Sequence, residues 1–267
     1  MLRRPWLDAA LTAGWRELDA FGSGLLDLIW PWLCVSCEAS GPPVPGRFAA
    51  WLCEGCAASL PRLGEDRCER CAAPLGPYAG VARACPECRD QRFVARSHAL
   101  YSYEGEARQL VCRLKYRREG ALAEAFADAL APRLTGSDVD LIVPVPMHWA
   151  RRLQRGANQA ELLGRALARR LSIGFDARAL TRRRSTPALH SLSRDRRRAV
   201  LTGAFAARRS RLAGRRVLLV DDLRTTGTTI TECSRALRDA GATHVEAAFV
   251  AVRHNNVRRL RQESLEC

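Results

Sequence analysis

Val217-Leu218-Leu219-Val220-Asp221-Asp222-Leu223-Arg224-Thr225-Thr226-Gly227-Thr228-Thr229-Ile230 is the stretch whose reading decides the fold. Four apolar residues in a row, without polar alternation, predict a strand buried on both faces of a parallel sheet. The two carboxylates end that run. Thr225-Thr226-Gly227-Thr228-Thr229 reads as a loop, and residues 230–240 carry apolar side chains at helical spacing up to a stop signal at Gly241. A loop of hydroxyls with one glycine at a helix N-terminus offers unpaired backbone N–H groups and the positive end of the helix dipole, which suit a phosphate monoester. Asp221 and Asp222 stand at the carboxyl end of the strand, where open α/β sheets place ligands. Carboxylates so close to a phosphate need something else to face, such as sugar hydroxyls or Mg²⁺. Together these residues describe a phosphorylated ribose.

The stretch resembles the phosphoribosyl pyrophosphate (PRPP) loop of type I phosphoribosyltransferases: an apolar strand, two acids, then Thr-Thr-Gly-x-Thr. It lacks the Gly-Lys-Thr of a P-loop and the several glycines of a dinucleotide fingerprint. An ordinary strand-to-helix turn whose threonines merely cap the helix is the competing reading.

With 267 residues, 47% of them hydrophobic and 27% charged, the chain has material for one α/β core and a smaller module. A net charge of +15 points to an anionic partner, either nucleic acid or a phosphorylated ligand. Lys115 is the sole lysine, however, and a compositional bias towards Arg and Ala would raise the charge by itself. Charge is therefore permissive. No apolar run approaches the roughly 20 residues of a membrane span. Asp8, Arg16, Glu17 and Asp19 break up any secretory core near the N-terminus, so the expected location is the cytoplasm, where cysteines stay reduced.

Four Cys-x-x-Cys knuckles follow one another: Cys34 and Cys37, Cys53 and Cys56, Cys68 and Cys71, Cys85 and Cys88. A two-residue gap lets both sulfurs of a knuckle face one ion, and tetrahedral Zn²⁺ takes two knuckles, so eight thiolates make two structural Cys₄ sites. The intervals are of zinc-ribbon length, which favours pairing first with second and third with fourth. An interleaved pairing uses the same residues and stays open. A redox role is the rival, but thioredoxin-like motifs occur once per domain. The segment holds too little apolar material for a core, so metal supplies its folding energy.

The chain is thus expected to comprise an amphipathic helical N-terminus over 1–30, a double zinc ribbon over 31–95, an α/β domain over 96–255 and a polar tail over 256–267. The N-terminal helix packs on the protein's own body or docks on a partner or membrane surface. Strands are expected over 98–103, 141–146 and 243–252, and helices over 106–116, 122–134 and 160–170. Residues 148–159 read as a basic loop able to hold a second phosphate group, and 181–198 as a basic flap.

The knuckles, then Leu114-Lys115-Tyr116, Pro144-Val145-Pro146, Arg155-Gly156-x-Asn158-Gln159 and the PRPP-type loop stand in the order of the ComF family of competence-associated proteins, which the chain resembles from about 25 to 253. That resemblance implies a type I phosphoribosyltransferase-like parallel sheet flanked by helices, preceded by the double zinc ribbon. It implies a role in moving single-stranded DNA across the inner membrane during natural transformation, beside the DNA-uptake machinery and with peripheral membrane contact left open. Residue by residue, it assigns Asp221 and Asp222 to the ribose hydroxyls and Mg²⁺, as the catalytic pair of an active enzyme. It assigns Thr225, Thr226, Gly227, Thr228 and Thr229 to the 5′-phosphate. Residues 143–148, including Val145, Pro146, Met147 and His148, form the pyrophosphate loop. Lys115, Arg155, Gly156, Asn158 and Gln159 belong to the family's own pattern, with Arg155, Asn158 and Gln159 shaping that loop. Two functions remain: PRPP binding without turnover in DNA uptake, and a PRPP-dependent transferase in nucleotide metabolism with an unknown acceptor.

Overall fold

The computed structural model describes residues 32–40, 51–64, 66–75, 85, 88, 92–116, 120–184 and 194–253. The expected N-terminal helix, the polar tail and residues 185–193 of the flap lie outside the described residues. The chain divides into two compact units, 1–59 and 60–267, so the boundary falls between the second and third knuckles, within the span expected to form one double ribbon.

Within the first unit, Cys34 N–H donates to the Ala39 carbonyl and Glu38 N–H to the Cys34 carbonyl, closing a tight turn beneath an antiparallel bridge between Leu33 and Ser40. Glu38 is left-handed at φ 61°. Helix α1 (Glu54–Ala58) starts with Cys53 at its N-cap, so the second knuckle sits on its first turn. The second unit repeats that turn at a different place in the chain. Cys68 N–H donates to Ala73 and Ala72 N–H to Cys68, Arg67 bridges Pro74, and Ala72 has φ 56°. Identical offsets from the first cysteine make these two copies of one knuckle.

The rest of the second unit is a parallel α/β layer. Strand β1 (Arg96–Ser102) is followed by helices α2 (Gly105–Tyr116) and α3 (Gly120–Leu130). After β2 (Leu141–Pro144) come α4 (Trp149–Arg155), α5 (Gln159–Leu171) and the short β3 (Gly174–Phe175). Then β4 (Leu180–Arg182) and β5 (Phe205–Ala207) pair as an antiparallel hairpin around α6 (Arg194–Leu201). A one-turn helix, α7 (Arg209–Leu212), leads to β6 (Arg216–Arg224), α8 (Thr228–Asp239) and β7 (His244–Val252). Among the described residues, the sheet order is β1-β7-β6-β2-β3 with every pair parallel. This follows from sequence: Val217 through Val220 and Val245 through Val252 are fully or nearly fully buried, as central strands covered on both faces require. Helix α5 packs on β2 and β6, and α8 on β5 and β7.

Two local expectations need correction. Strand β6 does not end at the acids, because Leu223 and Arg224 still pair with Ala251 and Val252; parallel pairing outlasts the apolar run. The basic stretch expected to be a loop contains α4, since His148 accepts a hydrogen bond from Ala150 N–H as N-cap and left-handed Gly156 (φ 74°) closes the helix. The outer edge of β1 is also covered. Ser102 N–H donates to Pro61, Leu63 N–H to Leu100, and Ser97 donates its N–H to Glu69 and its hydroxyl to Arg70, both at 2.7 Å.

Where β1 and β7 begin, buried Glu246 meets His98 at 2.7 Å and His244 at 3.1 Å. Burial pushes this carboxyl up, but the two imidazole contacts prevail and hold it at about 2, against 4.5 in the unfolded chain. A depressed carboxylate contributes stability in full above its unfolded value and loses it as pH falls towards the folded one. Glu246→Gln should therefore lower the melting temperature at pH 7 and flatten the acid destabilisation below about pH 4.5. Thermal unfolding across pH checks this, and identical curves for both proteins would refute it.

Candidate functional site

Gly227 is the N-cap of α8 and sits in the left-handed region at φ 76°, where a side chain would be strained. With no side-chain cap, the first amides of α8 keep their hydrogen-bonding capacity for a ligand. Thr225, Thr226, Thr228 and Thr229 are half-buried, and the Thr226 and Thr228 hydroxyls lie 3.0 Å apart, so one donates to the other and both border the same amides. Thr231 donates its hydroxyl back to the Gly227 carbonyl, which fixes the turn from below.

Neighbours on a strand leave it on opposite faces, and the acid pair obeys that rule. Asp222 reaches Lys115 at the end of α2, with Nζ and carboxylate 3.6 Å apart. Asp221 accepts a hydrogen bond from Asp222 N–H at 2.9 Å. Burial, then the charge of Asp222, raises the Asp221 carboxyl well above the ordinary carboxylate range. On the α8 side, burial and then the charge of Asp221 raise the Cys233 thiol.

The loop after β2 emerges beside these acids because Pro144 pairs with Val220. Val145 donates its N–H to Val220 at 2.8 Å, and its carbonyl accepts from the Asn158 side-chain amide at 3.0 Å. Asn158 also N-caps α5 by accepting from Ala160 N–H. Next to it, buried Gln159 donates to the Lys115 carbonyl at 3.1 Å. A closed circuit results: Val220, Val145, Asn158, Gln159, Lys115 and Asp222 tie the β2 loop, the start of α5 and the end of α2 to β6. The separate sequence motifs meet here. Pro146 and Met147 are half-buried in that loop, His148 caps α4, and Gly156 ends it. The side chain of Arg155 lies outside the described residues. Sequence reasoning left the partners of Asn158 and Gln159 unnamed, although an Asn directly before a helical pattern is itself a capping signal.

The eight cysteines form two groups, Cys34, Cys37, Cys53 and Cys56, and Cys68, Cys71, Cys85 and Cys88, with all sulfurs of a group within 4.8 Å of one another. Cys37 and Cys53 are 3.6 Å apart, Cys68 and Cys88 3.6 Å, and Cys71 and Cys85 3.7 Å. A zinc–sulfur bond of about 2.3 Å in a regular tetrahedron separates sulfurs by about 3.8 Å, so the donor sets fit zinc in type, number and spacing. Cys34 Sγ accepts N–H hydrogen bonds from Ser36 and Cys53, the usual support of a metal thiolate.

Residues 157–266 match the phosphoribosyl transferase domain family, and residues 25–89 the double zinc ribbon domain family. The two Cys₄ groups are thus the structural zinc centres of a double zinc ribbon. A relative from Salmonella typhi named DNA utilization protein YhgH is 34% identical over 67% of this chain and 81% of its own length. Its Escherichia coli O157:H7 counterpart is 37% identical over 51% of this chain, and the chain spans 63% of that relative's length. Competence protein F of Haemophilus influenzae is 38% identical over 40% of this chain and 48% of its own length. No helix among the described residues is long and apolar enough to cross a membrane.

Because the two cysteine groups fall in separate compact units, they should fill and empty independently. Purified protein is expected to carry two zinc ions, and Cys34→Ser or Cys71→Ser to carry one each, by elemental analysis. Iron in place of zinc, or loss of both ions from either variant, would overturn the assignment.

Proposed function

The chain belongs to the ComF family, and on that premise we propose that it binds a phosphorylated ribose, PRPP with Mg²⁺, at the carboxyl ends of β2 and β6 and serves the uptake of single-stranded DNA at the inner membrane. The observation that carries this reading is the meeting of an acid pair, a threonine-glycine turn and a second loop at one edge of the sheet. In this reading the amides and hydroxyls of Thr225, Thr226, Gly227, Thr228 and Thr229 take the 5′-phosphate. Asp221 and Asp222 take the ribose hydroxyl edge, and Lys115, 3.6 Å away, holds Asp222 in place. Val145, Pro146, Met147 and His148 border the pyrophosphate. Mg²⁺, when bound with the ligand, would neutralise the pyrophosphate charge. The names of the relatives, DNA utilization protein and competence protein F, supply the biological direction. The net charge of +15, carried almost wholly by arginine, suits contact with DNA phosphates, while 6% aromatic residues leave little for base stacking.

A loop at the leaving-group end as well as at the 5′-phosphate end favours a second reading, turnover. A nucleophile would then attack the anomeric carbon of PRPP as pyrophosphate departs, and Asp221 and Asp222 would stabilise the cationic ribose of the transition state.

PRPP binding in the presence of Mg²⁺, measured by calorimetry, should weaken about 10- to 100-fold in Asp221→Asn with Asp222→Asn, the scale of losing charged hydrogen bonds. Unchanged affinity would defeat the site assignment. Binding of single-stranded DNA should fall steeply with salt, and a flat response would remove the arginine-phosphate account. Pyrophosphate release from PRPP with and without DNA separates binding from turnover.

A further inference from the structure

The Lys115 and Asp222 side chains are 16% and 13% exposed, so their ion pair is largely withdrawn from solvent. Its 3.6 Å separation exceeds a hydrogen bond, so the two are held by charge and can part without breaking one. Among the described residues, Asp222 is the one carboxylate paired with this ammonium. Another resting place, the Tyr103 ring, is 5.9 Å away, at the outer limit of a cation–π contact, and Arg253 already lies 4.7 Å from that ring. The backbone of Lys115 is fixed, since Gln159 donates to its carbonyl. Its stem is a flexible four-carbon arm. Because Asn158, next to Gln159, holds Val145, that arm is rooted beside the β2 loop.

A carboxylate that already faces an ammonium has little left for a second cation. Asp222 is a hard oxygen donor of the type Mg²⁺ takes, and Mg²⁺ is ordinarily held by one or two carboxylates together with ligand phosphates. An ion arriving alone at the acid pair would meet the charge of Lys115 as well. We propose that Lys115 is a displaceable cation: before ligand arrives its ammonium occupies Asp222 and keeps divalent metal off the acid pair, and an incoming pyrophosphate group draws it away. This rests on the PRPP reading of the site and adds an order to it. A pyrophosphate group carries several negative charges and competes for the ammonium better than one carboxylate does. The pair that holds Asp222 in the ligand-free protein then opens, and the freed carboxylate turns to the metal and ribose hydroxyls that come with the phosphates. The ligand-free acid pair therefore stays without metal.

The block is tested on full-length, zinc-loaded protein without any phosphoribosyl ligand, so that its failure is separate from a failure of the PRPP reading. Mn²⁺ is the probe for Mg²⁺, and its binding is followed through loss of the paramagnetic resonance signal of the free ion. Lys115→Met should bind Mn²⁺ about 10-fold or more tightly than the native protein, because a like charge beside the ion is removed. Lys115→Arg keeps the charge and should stay within a few-fold of native. The gain should vanish when Asp222→Asn is added to Lys115→Met, and a variant that merely misfolds gains no such site. Equal affinity in the native and Lys115→Met proteins, or a gain that survives Asp222→Asn, would overturn the block. The exchange is read on isotope-labelled lysine, which gives a single side-chain ammonium signal because Lys115 is the sole lysine. Inorganic pyrophosphate without metal should shift that signal. A signal that stays put, whether or not calorimetry shows pyrophosphate bound, would overturn the exchange; only the unbound case also counts against the PRPP reading.

Discussion

The Val145 peptide is held from both sides. Its N–H is given to β6 through Val220, and its carbonyl is taken by the Asn158 amide at the start of α5. A loop that leaves a buried strand at a proline has no ladder left to follow, so without these two bonds its direction would be unspecified. With them, the loop lies beside the acid pair, and the helix N-cap that does the holding is itself pinned through Gln159 to the carbonyl of Lys115. The lone lysine of the chain is thereby aimed at Asp222 by backbone contacts as well as by charge. Each polar group in this circuit is buried or half-buried and partnered, which is how a polar site keeps one geometry inside an apolar fold.

The zinc-binding segments obey a different constraint. They lack the apolar material to fold by burial alone, and metal takes the place of a core. The two matching knuckles, with Glu38 and Ala72 in the same left-handed conformation, show one local solution used twice. They differ in surroundings: the second copy lies against β1 through Ser97 and contributes Ala72 to the main buried cluster.

Most of the sheet was legible from sequence because parallel strands buried on both faces write themselves as apolar runs. The metal groups were equally legible, since the spacing of cysteines is dictated by coordination. The end of β6 was not. Asp221 and Asp222 look like a terminus, yet hydrogen bonding to β7 continues through Arg224 because pairing depends on the neighbouring strand and not on the polarity of the side chain. Helix α4 escaped for a similar reason: its cap is a histidine, a weak signal in sequence, and its arginines read as a solvated loop. The circuit among Asn158, Gln159 and Lys115 joins residues 44 positions apart, and such a contact has no local signature.

The sheet has two outer strands, and neither invites a stranger. Strand β3 is two residues long, and β1 is shadowed by residues 61–63 running antiparallel along it, with Arg62 bridged to Tyr101. Unsatisfied edge backbone is the ordinary nucleus for chain-to-chain association. The peptide leading into the second zinc knuckle therefore also acts as a guard rail, and whatever loosens that knuckle opens a template for aggregation.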